Sequence, residues 1–525
     1  MKKCSLIFRM AGWAALAWMM MAGQPARGEP LSDEDVEAVL PKIRALVESS
    51  MKDSGVPGVA LAVVHNDRVV MVEGFGICKV GELAKVDGDT IFQLASVSKP
   101  MTSTVIARLV GEGKLSWDDP VVKCDPAFQL KDAYVTTHVT FRDLLSHRSG
   151  LPDHAGDLLE DLGYSREIVL ARLRNFDLGN RFRAAYAYTN FGVTEAAVAA
   201  AATTGKKWDE LIGEELFKPL GMSRTSARFE DFRNAKNRVS GHVPDNEKLI
   251  ADGKWVAKYV RDPDAQSPAG GVSSTARDVA QWIRLQLAQG RFEGEALIKP
   301  EALAETHKPQ ILTSYDDATG KAGFYGLCWI ISTDDGGRVF WKHSGEFQLG
   351  ARSVVSLCPA EGLGIVVLAN AAPSGLPEGI ELSFYDLLFR KKLTRDWVSF
   401  ANGKFQEMTN EQLMGDGVEY EKAPADAKPA RSVAAYEGTY LNDVYGPLQI
   451  EIRSGDLVAT FGSTGAKFPL KHYSGDLFYG ETQGEMMSGR SGVDFNNFVK
   501  GKANMVTLNF LNREGMGTFQ RQGTK

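Results

Sequence analysis

Ser96-Val97-Ser98-Lys99 stands at the entrance of an apolar run, and its reading decides both the fold and the chemistry of this 525-residue chain. Met101, Val105, Ile106, Leu109 and Val110 recur at helical spacing, and the run stops at Gly111-Glu112-Gly113. On a helix, positions i and i+3 share one face with Cβ atoms roughly 5–6 Å apart. A serine and a lysine so placed make a nucleophile with a built-in base, and no histidine is needed. A helix N-terminus adds free N–H groups and partial positive charge, which favour an oxyanion and oppose protonation of a nearby amine. Pro100 is tolerated there because first-turn N–H groups lack intrahelical partners. Ser49-Ser50-Met51-Lys52 also fits the spacing, but it ends the amphipathic run Val36, Val39, Leu40, Ile43, Leu46, Val47 and precedes Gly55, Pro57 and Gly58. A lysine at such a helix end caps exposed carbonyls.

Upstream of Ser96, β-branched runs at 58–64 and 69–72 flank His65-Asn66-Asp67 and read as a hairpin, preceded by a helix over 34–51. Downstream, residues 140–305 are largely helical in pattern. Strands return at 325–331, 339–342, 351–357 and 364–369, and a helix at 382–389 closes this portion. The expected architecture over 29–400 is α+β: an antiparallel sheet built from both ends of the segment, flanked by helices, with a mostly helical subdomain. Asn402-Gly403, Gly415-Asp416-Gly417 and the Ala/Pro-rich stretch 423–429 mark 401–430 as a linker. Over 431–525, short strands at 436–441, 448–453, 457–461, 467–473, 477–479, 493–499 and 505–511 predict a small all-β barrel or sandwich without a catalytic cluster.

The hydrophobic fraction of 44% and charged fraction of 24% are those of a globular protein, and the length allows two or three domains. A net charge of −6 without a dense basic patch excludes nucleic acid as the expected partner. Lys2, Lys3 and Arg9 precede the apolar stretch 10–23, and Ala26-Arg27-Gly28 offers small residues for cleavage, so 1–28 reads as a signal peptide. The stretch is short of the roughly 20 residues of a membrane span. Cleavage would remove four cations and no acid, taking the charge from −6 to −10, with export to a periplasm or beyond and no stable membrane span. Cys4 lies in the signal segment; no cysteine ends the apolar stretch, which disfavours a lipid anchor. Cys78, Cys124, Cys328 and Cys358 lack metal-type spacing and fit buried free thiols, although Cys328 and Cys358 fall in neighbouring expected strands where a disulfide stays open. Gly270-Gly271 is no phosphate loop, and neither a Gly-x-Ser-x-Gly elbow nor His-Glu-x-x-His occurs. No metal or organic cofactor is implied.

With Ser96 placed, further motifs follow in order. Phe92-Gln-Leu-Ala-Ser-Val-Ser-Lys99 and Gly113-Lys-Leu-Ser-Trp-Asp-Asp-Pro120 resemble the serine beta-lactamase and penicillin-binding-protein-like superfamily, closest to the branch of class C beta-lactamases, esterases and D-aminopeptidases. Val139-Thr-Phe-Arg-Asp-Leu-Leu-Ser-His-Arg-Ser-Gly-Leu-Pro152, Tyr186-Ala-Tyr-Thr-Asn190, Leu216-Phe-Lys-Pro-Leu-Gly-Met222, Pro268-Ala-Gly-Gly-Val-Ser-Ser-Thr275 and Lys342-His-Ser-Gly345 extend it over roughly 35–390. Ordered motifs over such a span are far more specific than any one alone. Tyr436-Glu-Gly-Thr-Tyr440 and Tyr445-Gly446 make the tail similar to the lipocalin-like domain often attached to this branch.

The resemblance implies that Ser96 is the nucleophile, Lys99 a neutral base, Tyr188 the proton relay, and Asn190 a hydrogen-bonding partner of substrate or lysine. Read without the motifs, Tyr188 and its neighbour Tyr186 are core aromatics and Asn190 a helix cap. His343, Ser344 and Gly345 would edge the cleft as substrate-binding residues. Relatives acting on beta-lactams or peptidoglycan often carry Lys where this chain has His343, and a histidine near pKa 6.5 is mostly neutral at about pH 7. The Glu346 N–H would complete an oxyanion hole with that of Ser96, while its carboxylate narrows the mouth or attracts a substrate amine. His147 reads as a structural hydrogen bonder. The expected function is a secreted serine hydrolase working through an acyl-enzyme on ester or amide bonds of the D-amino-acid peptide type. The alternatives are a beta-lactamase or D-Ala-D-Ala carboxypeptidase, and an inactive penicillin-binding-like binding protein. The barrel reads equally as ligand module, lid or oligomer contact, and oligomeric state and physiological substrate are not legible.

Overall fold

The computed structural model describes residues 31–523 apart from 180, 247–251, 318–320, 414–415, 483–484, 486–488 and 513. The signal segment expected over 1–28 lies outside the described residues. The central sheet joins β1 (Gly58–His65), β2 (Arg68–Gly76), β3 (Ile311–Asp316), β4 (Lys321–Tyr325), β5 (Ile330–Thr333), β6 (Val339–Phe347), β7 (Ala351–Cys358) and β8 (Leu363–Ala369). Their spatial order is β2-β1-β8-β7-β6-β5-β4-β3, antiparallel throughout. The first hairpin thus docks on the last strand, with Val59 opposite Ala369 and His65 opposite Leu363.

The main helices are α1 (Leu40–Ser54), α2 (Ser98–Gly111), α3 (Asn190–Ala202), α4 (Ala276–Leu287), α5 (Leu376–Phe389) and α6 (Trp397–Leu413). Every residue of β1 is buried, because helices cover both faces of the sheet. Ala60, Ala62 and Val64 face the core shared with α4, whereas Val59, Leu61 and Val63 face α1 and α5. That two-sided burial explains a strand that is apolar without alternation.

Helix α2 runs through the protein between the sheet layer and the helical subdomain, packed on α3 and the short helix Ser267–Gly270, and is buried from Ser98 through Ala107. Its small hydroxyl residues satisfy themselves inside the core. Ser103 and Thr104 donate to the Pro100 carbonyl at 3.0 and 2.7 Å, and Thr102 donates to the Pro268 carbonyl at 2.6 Å.

Several boundaries differ from the sequence reading. The strand expected over 325–331 is two strands, β4 and β5, split by a turn in which Gly326 N donates to Trp329 O and Cys328 adopts φ 65°. Edge strand β3 exposes Leu312 and Tyr315 and carries no core pattern to betray it. Helix α5 begins at Leu376, with Pro377 in its first turn, ahead of the expected start at 382. The segment expected as linker from 401 begins as α6, which packs on α5; a Cβ at Gly379 would lie 2.5 Å from the Val398 Cα, so the two backbones meet only because glycine stands there.

The C-terminal strands β9 (Gly438–Asn442), β10 (Gly446–Arg453), β11 (Asp456–Phe461), β12 (Ala466–Ser474), β13 (Leu477–Glu481), β14 (Arg490–Val499), β15 (Lys502–Leu508) and β16 (Thr518–Arg521) form a closed barrel. The short β16, absent from the sequence reading, closes it by pairing with β9 at Tyr440 and Arg521. Tyr440, Leu448, Ile450, Phe495, Val506 and Phe519 are buried and fill the interior. The barrel is seated on the helical subdomain: Tyr164 Oη donates to Tyr445 O at 3.0 Å, Arg172 to Val444 O at 3.1 Å, Asn175 to Asp443 O at 2.6 Å, and Ser463 N to Leu162 O at 3.0 Å. Cys78, Cys124, Cys328 and Cys358 are all free, so Cys328 and Cys358 are not bridged. Among the described residues no helix is long and apolar enough to cross a membrane.

Candidate active site

Ser96 lies in the 3-10 turn Ala95–Val97, which runs directly into α2. Ala95 is held at φ 46°, a left-handed conformation that a non-glycine residue keeps only when its surroundings impose it. Four hydrogen bonds impose it here. Leu94 N donates to Val272 O at 2.9 Å, Ser353 Oγ to Leu94 O at 2.6 Å, Ser98 Oγ to Ala95 O at 2.7 Å, and Val272 N to Ser98 Oγ at 3.0 Å. The second serine of the motif therefore clamps the turn that presents the first.

The structure brings Ser96, Lys99, Tyr188 and Asn190 together. Lys99 Nζ is 2.9 Å from Ser96 Oγ, 2.6 Å from Asn190 Oδ1 and 3.0 Å from Ala269 O. The last two are acceptors only. A neutral amine gives them its two N–H groups and keeps its lone pair for the Ser96 hydroxyl proton. Burial pushes Lys99 from its ordinary 10.5 down to about 7, against the opposing pull of Cys328, Asp157 and Glu160. Tyr188 Oη donates to Ser96 Oγ at 2.8 Å, and its ring lies 4.6 Å from Lys99 Nζ. Burial raises the Tyr188 phenol well above its usual range, outweighing the Ser96 hydrogen bond, so it keeps its proton at neutral pH.

Strand β6 runs beside this turn. Alternation sends Ser344 and Glu346 to the cleft and turns His343 the other way. His343 is 3% exposed, with Nε2 2.9 Å from Tyr325 Oη and Nδ1 2.7 Å from Ser344 O. The expectation that His343 touches substrate is corrected: both its ring nitrogens are engaged in the core. His147, expected to be structural, belongs to the same chain. Its Nδ1 accepts from Thr189 N at 3.1 Å, so Nε2–H donates to Tyr325 Oη at 3.2 Å and Tyr325 in turn donates to His343. Burial holds both histidines neutral, His343 near 3 with Lys99 assisting and His147 well below its usual value. Gly345 serves as a point of close approach: a Cβ there would lie 2.9 Å from Ser96 N and collide with Leu94 O and Ser353 Oγ. The Glu346 carboxylate is paired with Arg352, which also binds Glu378 at 2.6 Å, so one cation is shared between two carboxylates at the edge of the cleft.

The cleft above Ser96 is a cavity of about 510 Å³. Asp153, His154, Asp157 and Glu160 form one side, β6 another, and the barrel closes the far side with Tyr445, Phe510 and Met516. The basic groups lining it, Arg261, Arg352 and His154, each face a carboxylate: Arg261 meets Glu160 at 2.6 Å, and His154 meets Asp157 at 2.6 Å. Sequence reasoning missed Asp157 and Tyr325, which carry no motif, and the barrel residues, more than 300 positions from Ser96. Asp157 had one signal, its place just after the Ser-Gly-Leu-Pro152 loop. Ser49 of the second motif is exposed and bonds only Leu46 O at 3.0 Å. Among the described residues no three His, Cys, Asp or Glu side chains converge as metal ligands.

The profile of the beta-lactamase family matches residues 43–383. The chain belongs to the beta-lactamase family. A domain of unknown function, DUF3471, matches 422–521, the barrel and the segment leading into it. The unguisins hydrolase ungD' of Aspergillus campestris is 25% identical over 439 residues, covering 81% of this chain and 78% of its own. Penicillin-binding protein 4 of Amycolatopsis lactamdurans is 29% identical, covering 64% of this chain and 85% of its own. Among solved structures, the octameric penicillin-binding protein homologue from Pyrococcus abyssi superposes with a TM-score of 0.58 at 21% identity, over 91% of this chain and 99% of that one, which bears on fold. This member of the beta-lactamase family is a serine hydrolase.

Proposed function

We propose that the protein is an exported hydrolase that cleaves ester or amide bonds, of the D-amino-acid peptide type, through an acyl-enzyme on Ser96. The observation that carries this reading is the arrangement of Lys99, whose two N–H groups are taken by Asn190 and Ala269 and whose remaining contact is Ser96. Lys99 accepts the hydroxyl proton as Ser96 Oγ bonds to the substrate carbonyl carbon. The oxyanion is received by the N–H groups of Ser96 and Glu346. Tyr188 passes a proton to the leaving oxygen or nitrogen, taking one in turn from the Lys99 ammonium. Water then adds to the acyl-ester and the same groups run in reverse.

Ester and amide substrates rank above beta-lactams and D-Ala-D-Ala peptides because the basic groups lining the cleft already face carboxylates and His343 is turned inward. A binding-only role ranks below both, since the nucleophile, base and relay are in contact. Export rests on the charged and apolar pattern of the first 28 residues.

A fluorophosphonate probe is expected to label Ser96, with Ser96→Ala abolishing both labelling and p-nitrophenyl ester turnover. Labelling that survives the substitution refutes the assignment. Nitrocefin turnover equal to ester turnover would reverse the substrate ranking.

A further inference from the structure

Asn190 serves the site only in one orientation of its amide. Its Oδ1 accepts from Lys99 at 2.6 Å while its Nδ2 donates to Asp157 Oδ2 at 2.8 Å. Rotated by half a turn, the NH2 would compete with Ser96 for the lone pair of the neutral Lys99 amine, and the carbonyl would face the Asp157 carboxylate, a repulsive contact in place of a hydrogen bond. Asp157 is an acceptor only, so it enforces the first orientation. An asparagine at 157 could satisfy either.

Asp157 is itself held. His154 Nδ1 lies 2.6 Å from the same Oδ2. The His154 backbone adopts φ 56°, and its N–H donates to Tyr188 O at 2.7 Å, while Asp153 Oδ1 accepts from Tyr188 N at 2.7 Å. The loop 153–157 thus grips the backbone of the relay tyrosine on both sides and the side chain of Asn190. Asp157 Oδ1, by contrast, has no hydrogen-bond partner among the described residues, and Asp157 lines the cleft. Neither Asp157 nor His154 touches Ser96.

We infer that Asp157 and His154 are a positioning pair that locks the Asn190 amide and thereby aims the Lys99 lone pair at Ser96. This rests on the serine-hydrolase reading of the site. The pair also sets the charge opposite Lys99. The neighbouring charged groups are Asp153 on the same loop, Lys99 on α2, and Glu160 and Asp161 on the helix Asp157–Asp161. Burial lowers the His154 value, but Asp157 and Asp153 together raise it further, in the direction that favours imidazolium facing carboxylate.

The two partners therefore have opposite electrostatic effects on Lys99, and that is the test. The pH dependence of kcat/KM for a p-nitrophenyl ester is measured for wild type, Asp157→Asn and His154→Gln, each with its Tm and its fluorophosphonate labelling. Asp157→Asn removes a negative charge, and its acid limb is expected to move down by about 0.5–1 pH, with a plateau about 10–100-fold lower. His154→Gln removes the compensating cation, and its acid limb is expected to move up. Limbs that stay in place, or that move in the same direction, overturn the inference, including the case where activity falls only with Tm. Absence of Ser96 labelling in the wild type would instead overturn the serine reading on which it rests.

Discussion

Lys99→Met tests the electrostatic core of the mechanism through stability, independently of any substrate. The amine is fully buried and held near 7, whereas in the unfolded chain it returns to its ordinary value of 10.5. At 1.36 kcal/mol per tenfold change in proton affinity, this mismatch costs the folded state about 4 kcal/mol at pH 7. The sign follows from proton counting: below 10.5 the unfolded chain binds a proton that the folded chain above pH 7 does not, so the wild type gains stability as pH rises through that window. By pH 9.5 the cost has shrunk to about 1 kcal/mol. Methionine fills much of the space and never ionises, but it leaves Asn190 Oδ1 and Ala269 O without a donor. That loss, about 1–3 kcal/mol per acceptor, does not depend on pH. The stability difference between wild type and variant is therefore expected to shift by about 3 kcal/mol in favour of the wild type between pH 7 and 9.5. Urea unfolding of both proteins at the two pH values measures it, with all other titrating groups cancelling in the difference. A difference that stays constant within about 0.5 kcal/mol would show that Lys99 is an ammonium in the folded protein and could not serve as the base.

Two further substitutions probe the walls of the site. Gly345→Ala forces a methyl group against Ser96 N, Leu94 O and Ser353 Oγ, and moving β6 away to relieve it displaces the Glu346 N–H proposed to receive the oxyanion; kcat for ester hydrolysis is expected to fall by about 100-fold or more, and wild-type turnover would contradict the close approach. Phe510→Ala removes part of the barrel wall, so the ratio of kcat/KM for long-chain over acetyl esters is expected to rise by about tenfold, and an unchanged ratio would show that the acyl group does not reach the barrel.

The Ser96–Lys99 contact was legible because it is local: the two residues are one helical turn apart, and the helix that follows is written in Met101, Val105 and Leu109. The sheet was legible where strands are buried on both faces, as in β7 and β8, and illegible at β3, whose exposed apolar residues carry no periodic core signal. His343 was placed on the right strand but on the wrong side of it, since a one-residue alternation decides between cleft and core, and only the partner Tyr325 reveals the choice. Asp157 was missed because its one signal, a place just after the Ser-Gly-Leu-Pro152 loop, does not say which amide atom of Asn190 it meets in space. The barrel's part in the cleft was equally hidden: nothing in the composition of β9 to β16 announces that its turns reach across to a site built from residues 96–346.

The pairing of β1 with β8 has a consequence for the life of the chain before it is folded. His65 waits for Leu363, and Val59 for Ala369. At roughly 5–20 residues per second, about 15–60 s of synthesis separate the two strands. During that interval the first hairpin has neither its neighbour nor α5 to cover it, and α2 is an apolar rod with no sheet to lie on. Nascent chains ending before residue 390 are thus committed to remain open, dependent on holding factors and readily degraded, and a fragment carrying only the nucleophile segment has no native state to reach.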